Sequence, residues 1–159
     1  MGMPIPEFIV AIREKIGQDL LWLPGVTGMV MDDAGRVLLV RRADNLKWTL
    51  VTGCLEPGEQ PGHGIVREIL EETGVVAEIE RVLAVETTPQ FAHANGDQAV
   101  YMDVAFLCRA LSGEARVNDD ESVDVGWYAL DELPELPPRH TNCIQRYLEG
   151  APEAWFSRP

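Results

Sequence analysis

The 23 residues from Gly53 to Val75, GCLEPGEQPGHGIVREILEETGV, hold five glutamates and five glycines. The second half has the composition of a helix, and it sets Glu68, Glu71 and Glu72 at i, i+3 and i+4. Like charges at those spacings destabilise a helix by about 0.2–0.5 kcal/mol per pair. At about 100° per residue the three carboxylates fall within an arc of about 100°, while Ile65, Val66, Ile69 and Leu70 form a separate apolar arc. The expectation is a helix with one buried face and one carboxylate face. Oxygen-only donors of this kind suit hard cations such as Mg2+ or Mn2+, which keep several waters and share their other positions with substrate phosphates.

The surrounding pattern supplies elements to carry such a site. Ile5, Phe8, Ile9, Ile12 and Ile16 follow the 3.6-residue period and predict an amphipathic helix at about 5–18. Two β-rich runs flank the turn-forming Asp32-Asp33-Ala34-Gly35 and predict a hairpin, with strands near 26–32 and 36–42. WTLVT (48–52) reads as a strand leading into the glycine-rich stretch. The helix that follows should start at Pro61 and end at Thr73-Gly74.

Further strands are predicted over 75–88 and 98–111, with Val100, Met102, Val104, Phe106 and Cys108 on one face and Tyr101 and Asp103 on the other. Asn95-Gly96-Asp97 reads as the turn between them. A last strand at 123–130 and a closing helix at 140–150 complete the pattern. Strands outnumber helices and include hairpins, so the fold class is α/β with a mixed sheet covered by helices.

The chain has 159 residues, 46% hydrophobic and 25% charged, which suits a single domain over 1–159 with the first helix as an extension. No apolar run approaches the ~20 residues of a membrane span, and no secretory leader is evident, so a cytoplasmic location is expected. Cys54, Cys108 and Cys143 are too far apart for a zinc spacing and read as reduced thiols. A net charge of −13 argues against nucleic-acid or membrane partners. A polyanionic substrate would need a divalent cation or a local arginine cluster to mask the repulsion.

The spacing Gly53, five residues, Glu59, seven residues, Arg67-Glu68-Ile69-Leu70-Glu71-Glu72-Thr73-Gly74-Val75 matches the Nudix hydrolase signature at every specified position. A chance match in a chain of this length is on the order of one in ten million. The resemblance extends through the preceding hairpin and the downstream run ESVDVGWYALDELPEL. It implies a Nudix-like α/β/α sandwich and metal-dependent hydrolysis of a nucleoside diphosphate linked to a second moiety, of the ADP-ribose or nucleotide-sugar type. It also implies Mg2+, with Mn2+ as an option, held by Glu68, Glu71 and Glu72 and the Gly53 carbonyl. Glu72 is the expected closest ligand and Arg67 the residue that orients the acidic cluster by pairing with Glu59. Where many members carry Pro-Gly-Gly before the motif, this chain has Val51-Thr52-Gly53.

Other residues carry weaker signals. Arg41 and Arg42 could clamp phosphates, although adjacent strand residues face opposite ways and at most one should reach the site. Trp48 could stack on a base or belong to the core. Glu121, in the acidic loop NDDES, could add a carboxylate where some family members place one, giving a catalytic set of Glu71, Glu72, Arg67 and Glu121. His63, His93 and His140 show no partner pattern. Two other functions stay open at this level: hydrolysis of a nucleoside triphosphate, and a catalytically silent nucleotide sensor. The expected partner is a small nucleotide, and a homodimer is compatible with the first helix.

Overall fold

A computed structural model describes residues 5–159. Its sheet is built on β1 (Leu21–Met31), whose even positions Val26, Gly28 and Val30 face one layer and whose odd positions Thr27, Met29 and Met31 face the other. β2 (Arg36–Arg42) returns antiparallel through Asp32–Gly35, where Asp32 Oδ1 accepts from the amides of Ala34 and Arg36, and Gly35 takes φ +76°. The predicted WTLVT strand divides at Leu50. β3 (Trp48–Thr49) pairs with β2, whereas β4 (Val51–Cys54) crosses to pair with β1. Two halves of one β-rich run thus serve two neighbours, an outcome that local pattern does not encode.

β5 (Val76–Thr87) and β7 (Gln98–Ser112) pair antiparallel around the short β6 (Phe91–Ala92) and the turn at Gly96. β7 also runs parallel to β1 along all eleven residues of that strand, which makes the sheet mixed and draws the start of β1 back from the expected 26 to Leu21. β8 (Ser122–Ala129) closes on β2. The main order is β3-β2-β1-β7-β5.

Helices cover both faces. α2 (Pro61–Thr73) lies on the layer of Val26, Val30, Val104, Phe106 and Cys108 through Ile65 and Ile69. α3 (Pro138–Glu149) packs Cys143 and Ile144 on the layer of Met29, Leu39, Ala105 and Leu107. α1 (Glu7–Ile16) is shorter at both ends than the expected 5–18 and is moored by Arg13, which donates to the carbonyl of Gln98. Among the described residues no helix is long and apolar enough to cross a membrane. The expected α/β sandwich with a mixed sheet is the observed architecture.

Asp103 is buried on the α3 face, where its Oδ2 accepts from Thr27 Oγ1 at 2.9 Å and lies 3.2 Å from Arg139 of α3. Burial raises its carboxyl above the ordinary value, and Arg139 and Thr27 oppose that shift. This pair ties the start of α3 to the sheet by charge rather than by hydrocarbon.

Candidate active site

α2 begins at Pro61, whose missing N–H costs nothing at a helix start, and ends at Gly74 in the left-handed conformation, with its amide donating to Leu70 O. The helix presents its carboxylates differently from the simple two-faced expectation. Leu70 is 46% exposed, whereas Glu72 and Glu68 are only 4% and 9% exposed. The apolar stripe is centred on Ile65 and Ile69, both fully buried. Glu72 projects about 20° from Ile65, while Leu70 turns about 100° away from Ile69. Two glutamates are therefore carried inward with the core-facing stripe.

Glu68 lies flat on β4. A Cβ built on Gly53 would stand 2.6 Å from Glu68 Oε1, so any side chain there would displace the carboxylate. This packing explains why Gly53, the last position of the family's Pro-Gly-Gly, is glycine although Val51 and Thr52 replace the two residues before it. Arg67 donates a two-pronged pair of bonds to Glu59, 2.7 and 3.0 Å, and its third nitrogen bonds Glu68 at 3.0 Å and Glu71 at 2.9 Å. One guanidinium thereby fixes the loop before α2 and two of its carboxylates. The fork holds the Glu59 carboxyl below its ordinary range, against the opposing effect of its partial burial.

Glu121 reaches the same place from a distant part of the chain. The segment leading to it is laced to the end of α2: Arg116 N donates to Thr73 O, Asn118 N to Glu72 O, and Asn118 Nδ2 to Leu70 O. Ala43 N then donates to Glu121 O, which joins the loop to the end of β2. The bonds to Thr73 O and Glu72 O occupy carbonyls that a helix end leaves without partners, and Leu70 O accepts from Asn118 in addition to Gly74 N. As a result, carboxylate oxygens of Glu68, Glu72 and Glu121 all lie within 4.8 Å of one another.

Three carboxylates gathered in a poorly hydrated place raise one another's pKa. Burial pushes Glu68 up to about 7, helped by Glu121 and Glu71 and opposed by Arg67. Burial also raises Glu72, with Glu121, Glu68 and Asp119 adding to the shift and Arg42 opposing it. Glu121 is raised by burial and by Asp119. The nearby arginines do not neutralise the group. An all-oxygen donor set with uncompensated negative charge fits a hard divalent cation.

The other expected residues separate. Glu71 is outside the close group, its side chain 54% exposed and bonded to Arg67. Arg42 stands at the site, bonding Asp44 at 2.7 and 2.9 Å while its charge acts on Glu72 and Glu121. Arg41 faces away, donating to Leu46 O and acting on Tyr128. Trp48 also lies away from the carboxylates, edge-on to Tyr128 at 5.1 Å on the α3 layer. His140, which had no assigned role, is buried with Nδ1 unpartnered, and burial lowers it to about 3.

The NUDIX domain model matches residues 21–148, which contain the hairpin, β4, α2 and the Glu121 loop. The chain belongs to the NUDIX family. It is 36% identical over 110 residues to a MutT-like protein of Streptomyces ambofaciens, covering 69% of this chain and 66% of that one. It is 29% identical over 126 residues to an ADP-ribose pyrophosphatase of Methanocaldococcus jannaschii, covering 77% and 71%. The crystal structure of a UDP-X diphosphatase superposes with a TM-score of 0.66 at 26% identity, covering 91% of this chain and 71% of that one. The NUDIX signature and the buried carboxylate group therefore coincide in one place.

Proposed function

We propose that this NUDIX hydrolase is a divalent-metal-dependent pyrophosphohydrolase that cleaves a nucleoside diphosphate linked to another moiety, of the ADP-ribose or nucleotide-sugar type. The observation that carries the reading is the convergence of Glu68, Glu72 and Glu121 within 4.8 Å of one another in a poorly hydrated place, where a cation among them would offset their mutual repulsion. The similarity to an ADP-ribose pyrophosphatase and to a UDP-X diphosphatase supports the substrate class.

Glu68, Glu72 and Glu121 would hold Mg2+ or Mn2+, with the Gly53 carbonyl beside Glu68 as a further oxygen donor. When bound, the cation would neutralise phosphate charge and favour ionisation of water. Arg67 keeps Glu68 and Glu71 in place through its fork on Glu59. Glu71, the exposed member, is available to the substrate side of the cluster. Arg42, whose charge acts on Glu72 and Glu121, meets the phosphates. A carboxylate of the cluster takes the proton of the attacking water. The water oxygen bonds to one phosphorus as the bridging P–O bond of the anhydride breaks, the bridging oxygen stays on the other phosphate, and two phosphate monoesters leave.

The test is product analysis on a panel of nucleoside diphosphate derivatives and nucleoside triphosphates with Mg2+ and Mn2+. The reading expects nucleoside monophosphate plus sugar phosphate, and no turnover in excess EDTA. Pyrophosphate plus nucleoside monophosphate as the favoured products would shift the substrate class to triphosphates. Undiminished turnover in EDTA would refute the metal requirement.

A further inference from the structure

Beyond the end of α3 the chain returns along the open edge of β5. Trp155 N donates to Leu83 O at 2.8 Å and Val85 N donates to Trp155 O at 2.9 Å, a one-residue parallel bridge at Ala84. Arg146 of α3 seals the contact. Its guanidinium lies 3.7 Å from the centre of the indole ring and bonds both oxygens of Glu86 at 3.2 Å. Tail, strand and helix end enclose a cleft of about 450 Å3, within the range of about 300–1,000 Å3 usual for small-ligand sites.

The lining of this cleft differs from the rest of the molecule. Acidic residues outnumber basic ones by 26 to 13, and seven of the eleven arginines stand in ion pairs with carboxylates. Arg81 and Arg158 have no carboxylate within ion-pair distance among the described residues, and both line the cleft. Trp155 and Phe156 line it as well, 40% and 51% exposed, beyond the exposure expected of aromatic rings that only fill a core. Glu149 and Glu153 complete its polar wall. Arg158 lies over the Phe156 ring, 4.8 Å from its centre, and Arg146 over Trp155, so each half-exposed ring already carries a guanidinium on one face. Two guanidinium groups without carboxylate partners, two partly exposed rings and two carboxylates suit a ligand with an anionic group, a planar ring and an amino donor on that ring.

We propose that this cleft is a second nucleotide site, separate from the carboxylate cluster, that takes a nucleoside 5′-monophosphate bearing an amino-substituted base. Arg81 and Arg158 receive the phosphate, Trp155 and Phe156 offer surface to the base, and Glu149 or Glu153 accepts from its amino group. The choice of a monophosphate rests on the reaction proposed above, which releases one. The cleft alone requires an anionic group joined to a planar ring. Occupancy would bind the tail to β5 more firmly and let product report on the sheet edge.

Calorimetric titration of the intact protein with AMP in EDTA isolates this site from metal-dependent binding. One bound nucleotide is expected, with equal affinity in Glu72→Gln and a loss of about tenfold or more in Arg81→Gln/Arg158→Gln, since charge-assisted bonds to the phosphate are removed from a half-buried and an exposed position. Phe156→Ser should weaken binding further without unfolding, because the ring is open to solvent. No binding at millimolar AMP, an affinity unchanged by the double arginine substitution, or loss of binding in Glu72→Gln would each overturn the assignment. Inorganic phosphate binding as tightly as AMP would do so too, since the rings would then play no part. The product analysis above stands or falls separately, because it reads turnover at the carboxylate cluster.

Discussion

Glu72 occupies an angular position on α2 that would ordinarily carry a hydrocarbon side chain, and it shares that place with Glu68 and Glu121. The glutamates of α2 are legible as a group because one short helix carries them at fixed spacing. Glu121 was readable only as a candidate, since its approach depends on the bonds of Arg116 and Asn118 to the last carbonyls of α2. The division of labour within the motif was not legible at all: Glu71 and Glu72 are neighbours in sequence, yet one is held on Arg67 at the surface and the other is buried. The arrangement predicts that Glu121→Gln lowers turnover by roughly 10²-fold or more, the cost of losing a charge that stabilises the transition state. Glu71→Gln should cost less. Steady-state kinetics of both variants checks the order, and equal or reversed losses would move the proposed metal-holding role from Glu121 to Glu71.

Strand β4 and helix α2 form one unit, because Glu68 rests on the backbone of Gly53. Periodicity located α2, β2, β5 and β7 to within a few residues, since each has a continuous face against one layer of core. It failed at WTLVT, where hydrogen-bond partners change at Leu50, and at the start of β1, where a long parallel pairing with β7 extends the strand through Pro24. Both are non-local effects. Gly53→Ala tests the unit directly: the added methyl must push Glu68 aside. The expected result is a loss of about tenfold or more in divalent-cation affinity with far-ultraviolet circular dichroism unchanged. Retention of wild-type affinity would mean that Glu68 does not need its seat on β4.

At the scale of the molecule, an excess of 13 negative charges coexists with three buried or half-buried carboxylates in one place. Burial raises Glu68 from an ordinary 4.5 to about 7. The folded protein therefore keeps a proton that the unfolded chain releases. Without metal, this contribution to stability is complete below about pH 4.5 and is lost as pH rises towards about 7. A cation that binds only the folded state reverses the loss by mass action. Thermal melting at pH 8, with and without Mg2+, of the native protein and Glu72→Gln, paired with turnover of both, tests the central claim that the buried carboxylates hold the catalytic cation. Mg2+ is expected to raise the native Tm. Metal-free Glu72→Gln is expected to melt no lower than the native protein, to gain little from Mg2+, and to lose roughly 10²–10⁴ in turnover. A native Tm indifferent to Mg2+, together with full turnover in Glu72→Gln, would contradict that claim.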